Sequence, residues 1–177
     1  MKLRVAILIT SLLASSCSKT IYDVDRVFGL IVGAPWTLSE ASLPSVEQAG
    51  APSKSFTWSI QGPLSRWFGS AHVGVSLFSG NVFQIVSFVD FEDFESCRHE
   101  LAGIVNHLEN LYGQDMDWNG QFQFLSSDGS RWLQLSPCST DSKRTRYRIE
   151  IVLTDTDENR PVEAWFENHF KQDGGMT

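Results

Sequence analysis

The chain has 177 residues, of which 42% are hydrophobic, and a formal net charge of −7 at pH 7. This length suits a single domain with a buried core. The acidic balance argues against binding to nucleic acid and against general adhesion to anionic lipid, but it is compatible with a basic partner.

Residues 1–16 have the organisation of a secretory signal peptide. Lys2 and Arg4 form a basic start, 5–13 is a mainly apolar run, and 14–16 are small residues that suit a cleavage site. The apolar run is too short to span a bilayer as a helix, which takes about 20 residues. We therefore expect export. Cleavage of the signal peptide would remove Lys2 and Arg4, so the side-chain charge would change from −7 in the precursor to −9 in the mature protein.

Cys17 follows this segment, and two interpretations are open. In one, a general signal peptidase cuts after Ser16, the cysteine is incidental and the protein is soluble in the periplasm or secreted. In the other, the stretch LASSC resembles the lipobox of bacterial lipoproteins, although Ala14 stands where that motif usually has leucine. The resemblance covers residues 1–18 only.

The lipobox resemblance implies a membrane anchor. Cys17 would become the lipid-modified, palmitate-bearing N-terminus of the mature protein, and 17–26 would form a tether on the periplasmic face. Ser18 is not the aspartate that retains some lipoproteins in the inner membrane, so the resemblance favours the outer membrane.

The two remaining cysteines, Cys97 and Cys138, form an even pair in the predicted oxidising compartment. A bridge between them would close a loop of roughly 40 residues and contribute about 4 kcal/mol in the chain-entropy estimate. The alternative is a pair of buried free thiols. We favour the disulfide if the protein is exported.

The region before residue 90 predicts β-strands at 27–36, 55–61, 71–78 and 82–89. The short Ser-Gly-Asn link between the last two is typical of a hairpin. The segments 37–54 and 62–70 contain Pro, Gly and Ser and are predicted to be loops.

A long amphipathic helix is predicted over 90–113. Its apolar residues recur at three- and four-residue spacing, with Cys97 on the same stripe. Asp90 is the expected N-cap, and Gly113 suits the C-terminal position that requires a positive φ.

Strands at 120–125, 131–136 and 144–154 complete the prediction, followed by a helix that begins near Pro161. Short links imply antiparallel pairing. We therefore predict an α+β domain over 27–171: a curved antiparallel sheet of about six or seven strands, one long helix packed on a face, and a second C-terminal helix. Residues 172–177 are predicted to be a flexible tail.

No constellation of catalytic residues is visible, so no catalytic residue, metal site or cofactor is predicted. His99 and His107 lie eight positions apart on the predicted helix, too far to share a metal without further ligands. The segment 155–159 has the alternating oxygens of a calcium loop but lacks its glycine and its final glutamate. The chain is predicted not to be an enzyme.

Two candidate contact surfaces remain. Trp67 and Phe68 lie in a loop and are either recognition anchors or a lid that folds back on the sheet. Arg144, Arg146 and Arg148 alternate along the last strand and are either a docking strip for an acidic partner or a solvated strand face.

Three functions are compatible with these features. The favoured one is a non-enzymatic interaction or assembly module of the envelope, tethered to the membrane and bound to an unknown envelope protein. The alternatives are a periplasmic inhibitor or immunity-type protein that neutralises a basic enzyme, and a carrier of an apolar ligand.

Overall fold

The computed structural model describes residues 24, 26–37, 51–113, 122–140 and 145–172, with only the backbone described for 169–172. The predicted signal peptide and lipidation site lie outside these residues. The β-strands are β1 Arg26–Val27, β2 Leu30–Ile31, β3 Ser53–Ser59, β4 Ser70–Ser76, β5 Val82–Phe91, β6 Phe122–Leu125, β7 Arg131–Leu135, β8 Ser139–Thr140 and β9 Tyr147–Asp155. The α-helices are α1 Phe94–Tyr112 and α2 Thr156–Gln172.

The predicted α+β class is confirmed. Seven strands form one antiparallel sheet in the order β3-β4-β5-β9-β7-β6, and β8 pairs with the start of β9. The long helix α1 contacts β5 and β9, and α2 contacts β4, β5 and β9. The two central strands therefore support both helices.

The core lies between the sheet and α1. Along β9, Ile149, Ile151 and Leu153 are fully buried, and along α1 so are Ile104 and Leu108. Alternation sends every second side chain of β9 to the opposite face, where Arg148 is paired directly with Asp90 of β5.

Two buried apolar side chains do not belong to this main core. They are Phe83 of β5 and Val162 of α2. A Cβ atom at Gly74 would lie 2.7 Å from the Phe83 ring, so glycine makes room for that ring. Because Val73 and Val75 face the main core, alternation places Gly74 and the Phe83 ring beside it on the other face of the sheet.

The prediction of one strand at 27–36 is wrong. Strands β1 and β2 form a separate two-stranded hairpin. Its turn consists of Phe28 and Gly29, with φ values of 57° and 81°. These positive values match a type I′ hairpin turn, which reverses the chain within an apolar run that resembles one strand.

Both helices begin elsewhere than predicted. Strand β5 continues to Phe91, so Asp90 is part of the sheet, and Asp93 caps α1 by accepting a hydrogen bond from the Ser96 amide at 2.8 Å. Helix α2 begins before Pro161, because Asp155 accepts from the amides of residues 157 and 158, both at 3.1 Å. The acidic segment before Pro161, which was compared with a calcium loop, is thus the capped first turn of α2.

Candidate functional site

The predicted bond between Cys97 and Cys138 is present. Their sulfur atoms are 2.11 Å apart, and their Cα atoms are 6.0 Å apart. Cys97 is fully buried in the first turns of α1, and Cys138 lies half-buried between β7 and β8. The bond therefore fixes the start of α1 to the segment that follows β7. Lipidation of Cys17, outside the described residues, stays a prediction.

The loop aromatics are not a pair of exposed anchors. Phe68 is fully buried, and its ring centroid lies 5.5 Å from that of Phe28. A buried ring cannot contact a binding partner, so Phe68 is not a recognition anchor in this conformation. Of the two alternatives, Phe68 fits the one in which the ring folds back on the sheet.

Trp67 is half-buried against α1. Its Nε1 donates to Glu100 Oε2 at 2.5 Å, and the Arg66 guanidinium lies 3.9 Å from its ring centroid. A Cβ atom at Gly103 would lie 3.3 Å from the Trp67 ring, so the small residue permits close packing. Trp67 thus belongs to the packing of the loop on α1, and a role in binding stays a prediction.

The predicted arginine row is not uniform. Arg148 donates through Nε and Nη2 to the two carboxylate oxygens of Asp90, at 2.7 and 3.0 Å. Its guanidinium also lies 3.9 Å from the centroid of the Phe88 ring, and Phe88 is 41% exposed. Arg146 is exposed and precedes β9, while Arg144 lies outside the described residues. Arg148 is therefore held by an ion pair and an aromatic contact.

A cleft of about 180 Å³ opens between the β1–β2 hairpin, the 3-10 turn Pro63–Arg66 and the C-terminal half of α1. The described residues that line it include two basic residues and no acidic one. They are Arg26, Val27, Phe28, Gly29, Gln61, Pro63, Leu64, His107, Leu111 and Tyr112. Its walls are mainly apolar, and the hydrogen-bonding side chains among them include an arginine and a histidine.

The walls of this cleft are held in place by long-range contacts. Tyr112 donates through its hydroxyl to the Arg26 carbonyl at 2.5 Å, which joins the end of α1 to the hairpin. Trp58 Nε1 donates to the Phe28 carbonyl at 3.2 Å. The positive φ of Phe28 is unusual for a bulky residue. This backbone conformation is held by the burial of the Phe28 ring and by the hydrogen bond to the Phe28 carbonyl.

His107 lines the cleft and also contacts the Trp67 ring. Its ring centroid lies 6.1 Å from that of Trp67. Burial, and then the positive charge of Arg66, lower the pKa of His107 from the usual 6.5. The imidazole is therefore mainly neutral at pH 7, so it has one N–H donor and one acceptor.

Within the described residues there is no group of three or more His, Cys, Asp and Glu side chains arranged to hold a metal ion. Across the same residues, neither helix is long and apolar enough to cross a bilayer.

Comparisons with protein-family models, with curated proteins and with solved structures give no match to this chain.

The sequence interpretation missed the cleft. Its polar residues come from three separate parts of the chain: Arg26, Gln61, and the pair His107 and Tyr112 on α1. One local signal was present: the glycine at position 29, inside an apolar run, is compatible with a hairpin turn at Phe28–Gly29, which forms one wall of the cleft.

Proposed function

We propose that this chain is an exported lipoprotein, anchored through Cys17, that acts as a non-enzymatic interaction or assembly module of the bacterial envelope. The observation that carries the proposal is the bond between Cys97 and Cys138. Disulfides persist in oxidising compartments and are rare in the cytosol. A signal-like segment that ends in a cysteine supports the same destination.

The tether itself is proposed from the order of the basic start, apolar run, small residues and cysteine. Ser18, in place of aspartate, supports the periplasmic face of the outer membrane as the location. The partner would be another envelope protein, because an interaction module fixed at a membrane surface meets its partners there.

The partner contact is proposed at Phe88, Arg148 and the exposed Arg146. Interfaces are enriched in aromatic residues and arginine. Phe88 is 41% exposed although a guanidinium lies over it. The partner would offer an apolar side chain to Phe88 and an acceptor group to the exposed Arg146, whose guanidinium has five donors and can bind more than one group.

Two matched variants test the tether. In cells that carry out bacterial lipoprotein processing, wild-type protein should take up labelled palmitate and sediment with the outer membrane. The variant Cys17→Ser should lose both properties. The double variant Cys97→Ser with Cys138→Ser should keep the lipid label. Wild-type protein that is unlabelled and soluble would exclude the tether.

A photo-reactive amino acid tests the partner surface. Placed at position 88, it should form one dominant adduct with an envelope protein, and Arg146→Ser should weaken that adduct. The control position is His99, which is exposed on α1. Equal adducts at both positions, or none at 88, would contradict this surface.

A further inference from the structure

The cleft beside α1 has the chemistry of a binding site. Its volume is about 180 Å³, and an engineered apolar cavity of about 150 Å³ in another protein binds benzene. A six-membered ring therefore fits, whereas a drug-sized ligand does not. The cleft is partly open to solvent, which leaves room for a polar group at the surface.

The hydrogen-bonding groups at the cleft select the polar group of a ligand. Arg26 and His107 line it, and Arg66 lies close enough to lower the pKa of His107. The nearby Glu100 carboxylate already accepts a hydrogen bond from Trp67. The Arg26 guanidinium has only hydrogen-bond donors and the neutral imidazole has one, which suits an acceptor such as a carboxylate.

The site is also preorganised. The left-handed backbone of Phe28 sits between residues that line the cleft, and a strained residue of this kind persists only where its surroundings fix it. Here the fixing contacts are the Phe68 ring and the Trp58 indole. A ligand would not have to order the hairpin when it binds, which lowers the entropic cost of binding.

We propose that this cleft binds a small apolar monocarboxylate, with its ring or short chain against Leu64 and Leu111 and its carboxylate toward Arg26 and His107. This inference does not depend on the tether or on a protein partner.

Three planar molecules of nearly equal shape test the proposal: benzoate, benzamide and benzamidinium. Each is titrated into the mature protein while NMR signals of Leu111, Tyr112 and the Trp67 indole are followed. Benzoate should give saturable shifts at these residues. Benzamide should bind roughly fivefold more weakly or worse, and benzamidinium more weakly still.

Variants assign the effect to the cleft. Arg26→Gln should weaken benzoate binding roughly fivefold and bring it close to that of benzamide. Leu111→Trp should fill the cleft and abolish binding of all three. Arg98→Gln is the control because Arg98 is exposed near the other end of α1.

The spectrum of each unliganded variant shows whether the fold is retained, and Arg26→Gln alters an exposed side chain. Benzoate that gives no saturable shifts at the cleft would overturn the proposal. Equal affinity for benzoate and benzamidinium, or for wild type and Arg26→Gln, would overturn it as well.

Discussion

Gly33 lies directly against the buried carboxylate of Asp155. A Cβ atom built at Gly33 would lie 2.7 Å from Asp155 Oδ2 and 3.3 Å from Arg131 Nη2. Asp155 also accepts a hydrogen bond from Arg131 Nε at 3.1 Å and caps α2. A loop after the N-terminal hairpin, the start of β7 and the start of α2 therefore meet at one carboxylate.

This contact predicts different effects at two glycines that both have a positive φ. Gly29 has a φ of 81° and open space around its Cβ position, whereas Gly33 has a φ of 76° and no such space. Gly29→Ala should lower the free energy of unfolding by about 1–2 kcal/mol through backbone strain alone. Gly33→Ala should lower it by roughly 1–3 kcal/mol more, because Asp155 must move. Urea denaturation measures both, and equal losses would contradict the close contact.

Substitutions at Asp155 should separate helix capping from ion pairing. Asparagine caps a helix about as well as aspartate, so Asp155→Asn should lose only the pairing with Arg131, roughly 1–2 kcal/mol. Asp155→Ala should lose roughly 2–4 kcal/mol, because both the cap and the pairing disappear. Thermal and urea unfolding give the values. If asparagine and alanine are equally destabilising, the capping role is wrong.

The fold was largely predictable because its central elements follow strict local periods. Apolar residues alternate along β9 and recur at helical spacing along α1, so both were found in nearly their full length. Element ends were missed where long-range contacts decide them. Asp90 resembled an N-cap, but its pairing with Arg148 across the sheet keeps it in β5.

The candidate sites were less predictable, because tertiary contacts decide what a side chain is available to do. The sequence showed that Arg148 faces away from Ile149, but not that Asp90 neutralises it. It placed Phe68 in a loop, but the loop turns its ring into the core. The local sequence pattern predicts which face of a strand a side chain lies on, whereas the groups that the side chain contacts come from distant parts of the chain.

The disulfide should contribute strongly to stability. Cys97 and Cys138 are 41 positions apart, and the entropy model gives about 4 kcal/mol for a loop of this length. Wild-type protein should therefore have a clearly lower urea midpoint with reductant than without it. Intact mass after alkylation counts the free thiols in each sample. The control is the double variant Cys97→Ala with Cys138→Ser, whose urea midpoint should not respond to reductant because it has no bond between these positions.

Stability should fall on acidification partly through His107. Burial, and then Arg66, lower its pKa in the folded state below the usual 6.5. As the pH falls through this range the unfolded chain binds a proton first, so unfolding becomes more favourable until the folded-state pKa is passed. Urea midpoints at pH 7.5 and 5.5 should differ less for His107→Gln than for wild type.

The matched control is His99→Gln, at an exposed position of the same helix. This variant should show the same pH response as wild type. If His107→Gln also matches wild type, burial of His107 has no effect on stability.

The two described arginines of the basic row should behave differently. Arg148→Ser removes a two-point contact with Asp90 and the cover over Phe88. It should lower the free energy of unfolding by roughly 1–3 kcal/mol, because a partly buried carboxylate loses two charge-assisted hydrogen bonds. Arg148→Lys should recover only part of this, since lysine lacks the planar fork and the stacking surface.

Arg146→Ser, at an exposed position before β9, should change stability by about 0.5 kcal/mol or less. A double-mutant cycle with Asp90→Ala measures the pair itself. Equal and negligible effects at both arginines would mean that the row is a solvated strand face throughout.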